Sequence, residues 1–477
     1  MRGSFLKFLN TKIFVLPARK PSPPSRFQRW VAKVVLWSGT FLALLFIGWR
    51  VWLYAEVASQ FSTLRKSGLP TSGAELNAWL PAIPDEENGA LELGSALAVR
   101  RNFQDSRSNL VSAFTDIDRK NQWLTTNSAI IRDYIGLNQT LLDQATAALQ
   151  LRRFRFPADY SYGPDTPLPH LAAVKGMAQL FALRSALLAQ ENQNGDWTDD
   201  VESILKLAGT LDDEPVVISF LVRASIINIA TKATERSISY CPLQTTAAAK
   251  LQLGFDSVAV SNLLSRAFIG ELAIHTPIFR LSTAEARMAN ADSDDTSNIQ
   301  APQRYAGKPN LFLWFTGFFE RDLNFFLETM NRSRVLAGQP MPHALALRNY
   351  FDKRAVIARN RLYVYSGLLL PTFAKVVNRD ATVQANLRLA STALAIERFR
   401  RTHGELPKKL EELVPDYLAT VPNDPFDGAA LRYLPRETGY TIYSIGDDLK
   451  DDGGREKPAK IKTADKSSYD LTFIVTR

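Results

Sequence analysis

Apolar and polar positions follow three different rhythms along this chain. The first is the longest uncharged, mainly apolar run, from Val34 to Trp49, closed by Lys33 on one side and Arg50 on the other. Leu36, Phe41, Leu42, Leu44, Leu45, Phe46 and Ile47 form its centre. These 16 residues are slightly fewer than the roughly 20 that a hydrocarbon core requires. Lys33 and Arg50 can snorkel outward and lengthen the span toward Trp30 and Tyr54. Trp30, Trp37, Trp49, Trp52 and Tyr54 supply interfacial aromatics. The pattern predicts one transmembrane helix within residues 31–55. A buried soluble helix and a cleaved signal peptide are the alternatives. The basic region ahead of the run is too long for a signal peptide, and Val57-Ala58-Ser59 is a poor cleavage site.

The second rhythm is helical. Beyond the breaks at Gly68-Leu69-Pro70 and Pro81 to Pro84, apolar residues recur at three and four up to about residue 250. Leu168, Leu171, Val174, Ala178, Phe181, Ala182 and Leu188 make one such face. Asp85, Glu86 and Glu87 suit a helix N-terminus, and so do Asp212, Asp213 and Glu214 before Pro215. Asn192 to Asp200 reads as a helix–helix turn, with Gly195 ending one helix and Thr198 opening the next. No 34-residue period appears, so an irregular helical-hairpin body is expected over residues 56–375, not a tetratricopeptide array. Residues 288–309 are polar and read as an exposed loop. Leu311, Phe312, Leu313, Trp314, Phe315, Phe318 and Phe319 form an aromatic run suited to core packing or to a membrane or partner surface. Leu362 to Phe373 reads as a buried helix broken by Pro371.

The third rhythm begins near Asp380. Val383, Leu387, Ala390, Leu394 and Phe399 stripe one side of a helix, with Glu397 and Arg401 as an i,i+4 pair. Gly404 can end that helix in the left-handed conformation. A short helix is expected from Pro407 at N1 through Leu410 and Leu413. Short strands are expected at 431–434, 440–444 and 471–475, which predicts a small α+β domain over residues 380–477. The fold class is therefore mainly α, with one membrane helix, a helical body and a small C-terminal α+β domain.

Composition changes this picture at one place. The 477 residues carry a net charge of +9, which by itself invites a nucleic-acid reading. Arg2, Lys7, Lys12, Arg19, Lys20, Arg26, Arg29 and Lys33 supply +8 of it, with no acid among the first 33 residues. The remainder is almost neutral, so no nucleic-acid partner is expected. The basic arm of residues 1–30, with Pro17, Pro21, Pro23 and Pro24, predicts a cytoplasmic N-terminus and an extracytoplasmic body. The one cysteine, Cys241, has no partner in the chain and reads as a buried inert thiol.

Catalytic signatures are sparse. The four histidines, His170, His275, His343 and His403, form no metal-spaced pair, and no nucleophile elbow or phosphate loop is present. Glu271 and His275 share a helix face, an arrangement that serves a general base or, more often, a plain ion pair. His403 suits a helix C-terminus, and Asp199, Asp200 and Glu202 suit a helix start. Asp116 and Asp118 read as a solvated face.

Four runs carry a resemblance. They are Thr402-His403-Gly404-Glu405-Leu406-Pro407, then Asp424-Pro425-Phe426-Asp427-Gly428, then Tyr443-Ser444-Ile445-Gly446-Asp447-Asp448, then Asp451-Asp452-Gly453-Gly454. In order and spacing they resemble the C-terminal domain of the major pseudopilin of type II secretion systems. The resemblance covers about 95 residues, a fifth of the chain. It implies an extracytoplasmic α+β unit whose last loop binds calcium, with Asp447, Asp448, Asp451, Asp452 and Asp470 as ligands. Calcium takes six to eight oxygens, and Gly446, Gly453 and Gly454 would let the backbone fold around it. The chain departs from the family in having over 300 residues between its apolar span and this unit. No processing motif precedes the span and no glutamate lies in it, which argues against polymerisation. The layout also resembles bacterial membrane-anchored proteins with this kind of tail. The expectation is a non-enzymatic, single-pass protein of the bacterial inner membrane, its bulk periplasmic, acting as a scaffold for unidentified protein partners. The alternatives are an envelope hydrolase with its site in the helical body, or an accessory secretion component.

Overall fold

The computed structural model describes residues 25–102, 123–191, 197–259, 262–280, 315–458 and 468–477. The basic arm up to residue 24, Asp116, Asp118, Gly195, the polar loop at 288–309 and the aromatic residues 311–314 lie outside them. The chain divides into Met1–Ala55 and Glu56–Arg477. Helix α1 is Arg26–Lys66, which contains the expected span. Its most apolar stretch has a mean hydropathy of 1.9 and is 0% buried. No helix breaker other than Gly39 and Gly48 interrupts it, and neither glycine has a neighbour at its Cβ position.

The body begins with α2 (Gly73–Trp79), capped by Ser72, whose hydroxyl accepts the Glu75 N–H. Then follow α3 (Gly89–Asn102), α4 (Trp123–Leu137), α5 (Gln139–Ala148), α6 (Pro169–Gln190) and α7 (Trp197–Gly209). Next come α8 (Val217–Tyr240), α9 (Thr245–Ser257), α10 (Leu263–His275), α11 (Phe318–Ala337) and α12 (Ala346–Asn360). Helices α6 and α8 are apolar around most of their circumference, and they pack on each other and on α7 at the centre. By length and composition both are apolar enough to cross a membrane, as α1 is, but 67% of each apolar stretch is buried in protein. All-round apolarity is what a core helix needs. Asp200 does more than favour the start of α7, because Arg184 of α6 holds its carboxylate with Nε 3.0 Å from both oxygens.

Helix α13 is Val364–His403, 40 residues long. The domain boundary expected at 375–380 falls inside it, and so does the expected break at Pro371. The ring removes one ladder hydrogen bond, to the carbonyl of Gly367. The flanking residues Leu370, Phe373 and Ala374 are buried, so packing holds the helix together across the gap. Gly404 ends it at φ 79°, as expected. The short helix from Pro407 does not form. Glu412 accepts the Lys408 N–H, and a single 3₁₀ turn follows at Leu410–Leu413.

Strands β1 (Arg432–Arg436), β2 (Gly439–Ser444) and β3 (Leu471–Thr476) form an antiparallel sheet in that order. Tyr440 pairs with Val475 and Ile442 with Phe473. A Cβ on Gly439 would lie 1.9 Å from the Val475 carbonyl oxygen, so only glycine fits this hairpin. The sheet shares one hydrophobic core with α6, α8 and α13. Two buried carboxylates fasten it there. Glu235 of α8 accepts the Ile474 N–H at 2.6 Å on the outer edge of β3. Glu397 of α13 accepts the Tyr440 hydroxyl at 3.1 Å and pairs with Arg477. The expected Glu397–Arg401 surface pair is thus replaced by an inward-facing one.

Replacing Glu235 by Ala should remove the buried hydrogen bond to the Ile474 N–H, costing about 1–3 kcal/mol. In urea unfolding of the detergent-solubilised chain, the midpoint should fall with the slope unchanged. A loss under about 0.5 kcal/mol would mean that apolar packing alone docks the sheet.

Candidate functional site

The expected calcium loop runs from β2 through a turn toward β3. Its five aspartates are placed differently from one another. Asp447 and Asp448 are exposed, and Asp448 accepts the Lys450 N–H. Asp451 accepts the Tyr443 hydroxyl at 3.2 Å and the Gly453 N–H at 3.0 Å, and faces Arg432. Asp470 is buried and accepts three backbone N–H groups, those of Asp452, Gly454 and Arg455. Asp452 takes the Ser468 hydroxyl at one oxygen, and its Oδ2 is buried without a hydrogen-bond partner. Among the described residues, no three His, Cys, Asp or Glu side chains gather as a metal cluster. Among the described residues of the loop, Asp452 Oδ2 is thus a buried carboxylate oxygen without a hydrogen-bond partner.

Arg432 sits against the same loop. Its guanidinium reaches Asp424 at 2.7 Å and pairs with Asp427 and Asp451. Asp424 is fully buried and also accepts the Ser444 hydroxyl and the Ile445 N–H. Hydrogen bonding to Arg432 and to the Ala429 N–H outweighs desolvation at Asp427 and lowers its pKa. An internal cation thus already neutralises much of the acidic turn.

Glu271 and His275 meet as expected, with Oε2 3.0 Å from Nδ1. Both are buried. The other Glu271 oxygen accepts the N–H of Val217, the first residue of α8, at 2.8 Å. The pair caps a buried helix start. His170 Nε2 lies 2.5 Å from Glu214, which also takes the Ser219 hydroxyl. Here the carboxylate stands between imidazole and hydroxyl, so the imidazole is not placed to take the serine proton. His403 stacks on Phe399 at the end of α13, and Cys241 is buried at the end of α8.

The arrangement with the most chemistry lies elsewhere, in a cleft of about 270 Å³. Its floor is α13, where Asp380, Gln384 and Arg388 recur every fourth residue as a half-buried polar stripe. Phe255 and Asp256 of α9 form one wall, and the loop Gln339-Pro340-Met341 with Pro422 forms the other. Ser391 donates to Asp256 at 2.9 Å, and Arg388 donates to the Asn423 carbonyl at 2.6 Å. The Asp380 carboxylate has no hydrogen-bond partner among the described residues. Burial pushes its pKa up to about 6, against a weaker pull from Arg223. Burial also lowers the pKa of Arg388. Such a stripe offers an acceptor, an amide and a guanidinium to a ligand entering the cleft. In the sequence the same three residues are a polar i,i+4,i+8 series, but Lys375, Asn378, Arg379, Thr382 and Asn386 stand around them, so no local pattern singles them out.

Comparison with family models, with curated proteins and with solved structures gives no match to this chain.

A carboxyl whose folded pKa lies above its unfolded value binds its proton more tightly when folded. Its contribution to stability is therefore full below the unfolded value of 3.8 and is lost as pH rises to about 6. Asp380→Asn should gain on the native chain by about 1–2 kcal/mol between pH 4 and 7, read from urea unfolding at several pH values. A pH-independent difference would place Asp380 in contact with water.

Proposed function

We propose that this chain is a single-pass, membrane-anchored envelope protein that acts as a non-enzymatic scaffold. Its N-terminus is cytoplasmic and its helical body extracytoplasmic. The observation that carries the reading is the contrast among the three apolar helices. The apolar stretch of α1 is 0% buried, whereas those of α6 and α8 are 67% buried. A large unburied apolar surface on a soluble protein has no stable state in water, and a bilayer supplies one. The basic arm before it, without a balancing acid, supports the orientation. The pseudopilin-like tail is part of the scaffold and shares the body's core, and the Asp380 cleft is where the body would hold a polar group of its partner. An accessory role in a secretion system remains a narrower form of this proposal, resting on the tail alone.

Deleting residues 34–49 should move the chain from the membrane pellet, where carbonate washing leaves it, to the soluble fraction. In a Cys241→Ala background, Leu253→Cys is 69% exposed and lies on the body. A membrane-impermeant maleimide should label it in spheroplasts without lysis. Labelling only after lysis would reverse the proposed orientation.

Calcium belongs to this reading through Asp452, the loop carboxylate with a free buried oxygen. Raising free calcium to about 100 times its dissociation constant should stabilise the detergent-solubilised chain by about 2.7 kcal/mol. Asp452→Asn should abolish the rise in Tm. A flat Tm into the millimolar range would remove calcium and leave the anchor untouched.

One observation favours a second reading, an envelope hydrolase. Asp380, raised to about 6, shares its cleft with a second carboxylate, Asp256. Carboxyls in unlike environments can divide acid and base roles. A turnover lost in both Asp380→Asn and Asp256→Asn would carry that reading.

A further inference from the structure

The turn between α12 and α13 combines three features that the fold does not need. The first is conformational. Leu362 N–H donates to the Arg359 carbonyl and Tyr363 N–H to that of Ala358, which closes α12 with a Schellman motif. This motif puts its C′ residue in the left-handed region, where glycine is customary. Here the residue is Leu362, at φ 58°. A leucine in that conformation is strained, and Leu362 recovers nothing by packing because it is 71% exposed.

The second feature is apolar exposure around it. Leu368 is 64% exposed, and Val356, Val364 and Ile357 are exposed as well. Val364 and Leu368 stand at i,i+4 on α13, one turn from Leu362. The third is charge. From Lys353 to Arg379 the chain carries Lys353, Arg354, Arg359, Arg361, Lys375 and Arg379 and no acid. Arg354 is paired with Glu328 of α11. Arg359 and Arg361, beside the turn, are exposed and make no ion pair among the described residues.

The position of this turn is fixed by two links. Gln60 of α1 donates to Asn324 of α11, and the next residue, Phe325, packs its ring 5.1 Å from that of Tyr363. Asp322 of α11 accepts the N–H groups of Tyr365 and Ser366 at 2.8 and 3.2 Å. Gln60 follows Tyr54, the last interfacial aromatic, by six residues, which span at most about 22 Å. The turn is therefore linked through α11 to the C-terminal part of α1, which the sequence joins directly to the apolar span.

We propose that this turn is a lipid-docking surface. Leu362, Val364 and Leu368 enter the headgroup region of an anionic bilayer, and Arg359 and Arg361 meet its phosphates. The proposal rests on the membrane-anchor reading above. It adds that the body is held against the membrane at a second place and does not swing from one helix. Charge complementarity selects an anionic lipid surface as the occupant, since a soluble acidic partner would not require the exposed leucines.

The test uses the full chain, Cys241→Ala, in nanodiscs of mixed zwitterionic and anionic lipid with or without brominated acyl chains. An environment-sensitive fluorophore is placed at Leu362→Cys, at Leu368→Cys, at Leu42→Cys in the anchor, or at Leu253→Cys on the body. Bromolipid should quench positions 362, 368 and 42 at least twofold and leave 253 unchanged. Omitting anionic lipid should weaken quenching at 362 and 368 but not at 42. If 362 and 368 behave like 253 while 42 is quenched, the docking surface is wrong and the anchor stands. If 42 is also unquenched, the anchor reading falls and the docking surface with it. A blue-shifted but unquenched signal at 362 means protein covers the turn, and concentration dependence would identify a second copy. Either result overturns the lipid assignment.

Discussion

Helix α13 is the constraint on which the rest of the body depends. A helix of 40 residues is about 60 Å long, and most of its stability must come from what packs along it. It has different partners at its start, middle and end. Asp322 of α11 accepts backbone N–H groups at its start, α9 lies against its middle, and β2 and β3 lie against its last turns. Neither the helical body nor the sheet can be complete without it. The tail is accordingly not a module on a linker. Its buried residues Tyr440, Ile442, Phe473 and Val475 belong to the same core as Leu180, Phe181 and Ile227.

That shared core explains why the two carboxylates at the junction, Glu235 and Glu397, are both hydrogen-bonded. A carboxylate buried between two layers costs several kcal/mol unless it is hydrogen-bonded. Glu235 meets a strand-edge amide, and Glu397 meets a tyrosine and the C-terminal arginine. The strand edge that Glu235 covers is also the edge onto which another strand would add. The tail's packing in this chain therefore favours attachment to its own body over strand addition from a partner.

Much of this architecture is legible in the sequence where a pattern has one physical cause. The uncharged run at 34–49 has no acid or base to stop it, and it lies within a helix with that stretch unburied. Gly404 ends α13 because only a residue tolerant of positive φ fits there. The three strands lie within one or two residues of their expected positions. Legibility fails where tertiary contacts decide. Pro371 reads as a break, yet buried neighbours carry the helix through it. Glu397 reads as half of a surface pair, yet Tyr440 and Arg477, distant in sequence, turn it inward. The Asp380 cleft is assembled from α9, α13, residues 339–341 and Pro422, and no local pattern announces such a convergence. The acidic turn after Ser444 shows the reverse case. Its composition reads as a metal site, and the local pattern does not show that Arg432, twelve positions before Ser444, pairs with Asp451 of that turn.

Two of the features that folding leaves unspent lie on or directly before the same helix. At one point α13 carries Asp380, without a hydrogen-bond partner among the described residues, and its first turn follows a strained, exposed leucine. Folding explains neither, since a glycine at 362 would relieve strain and an asparagine at 380 would relieve desolvation. Residues retained against local stability are the expected mark of function. Their sharing of one rigid element has a further consequence. Docking the first turn of α13 on a bilayer would fix the height and tilt of the whole helix, and with it the cleft that presents Asp380. A scaffold built this way would offer its polar cleft at a set distance from the membrane.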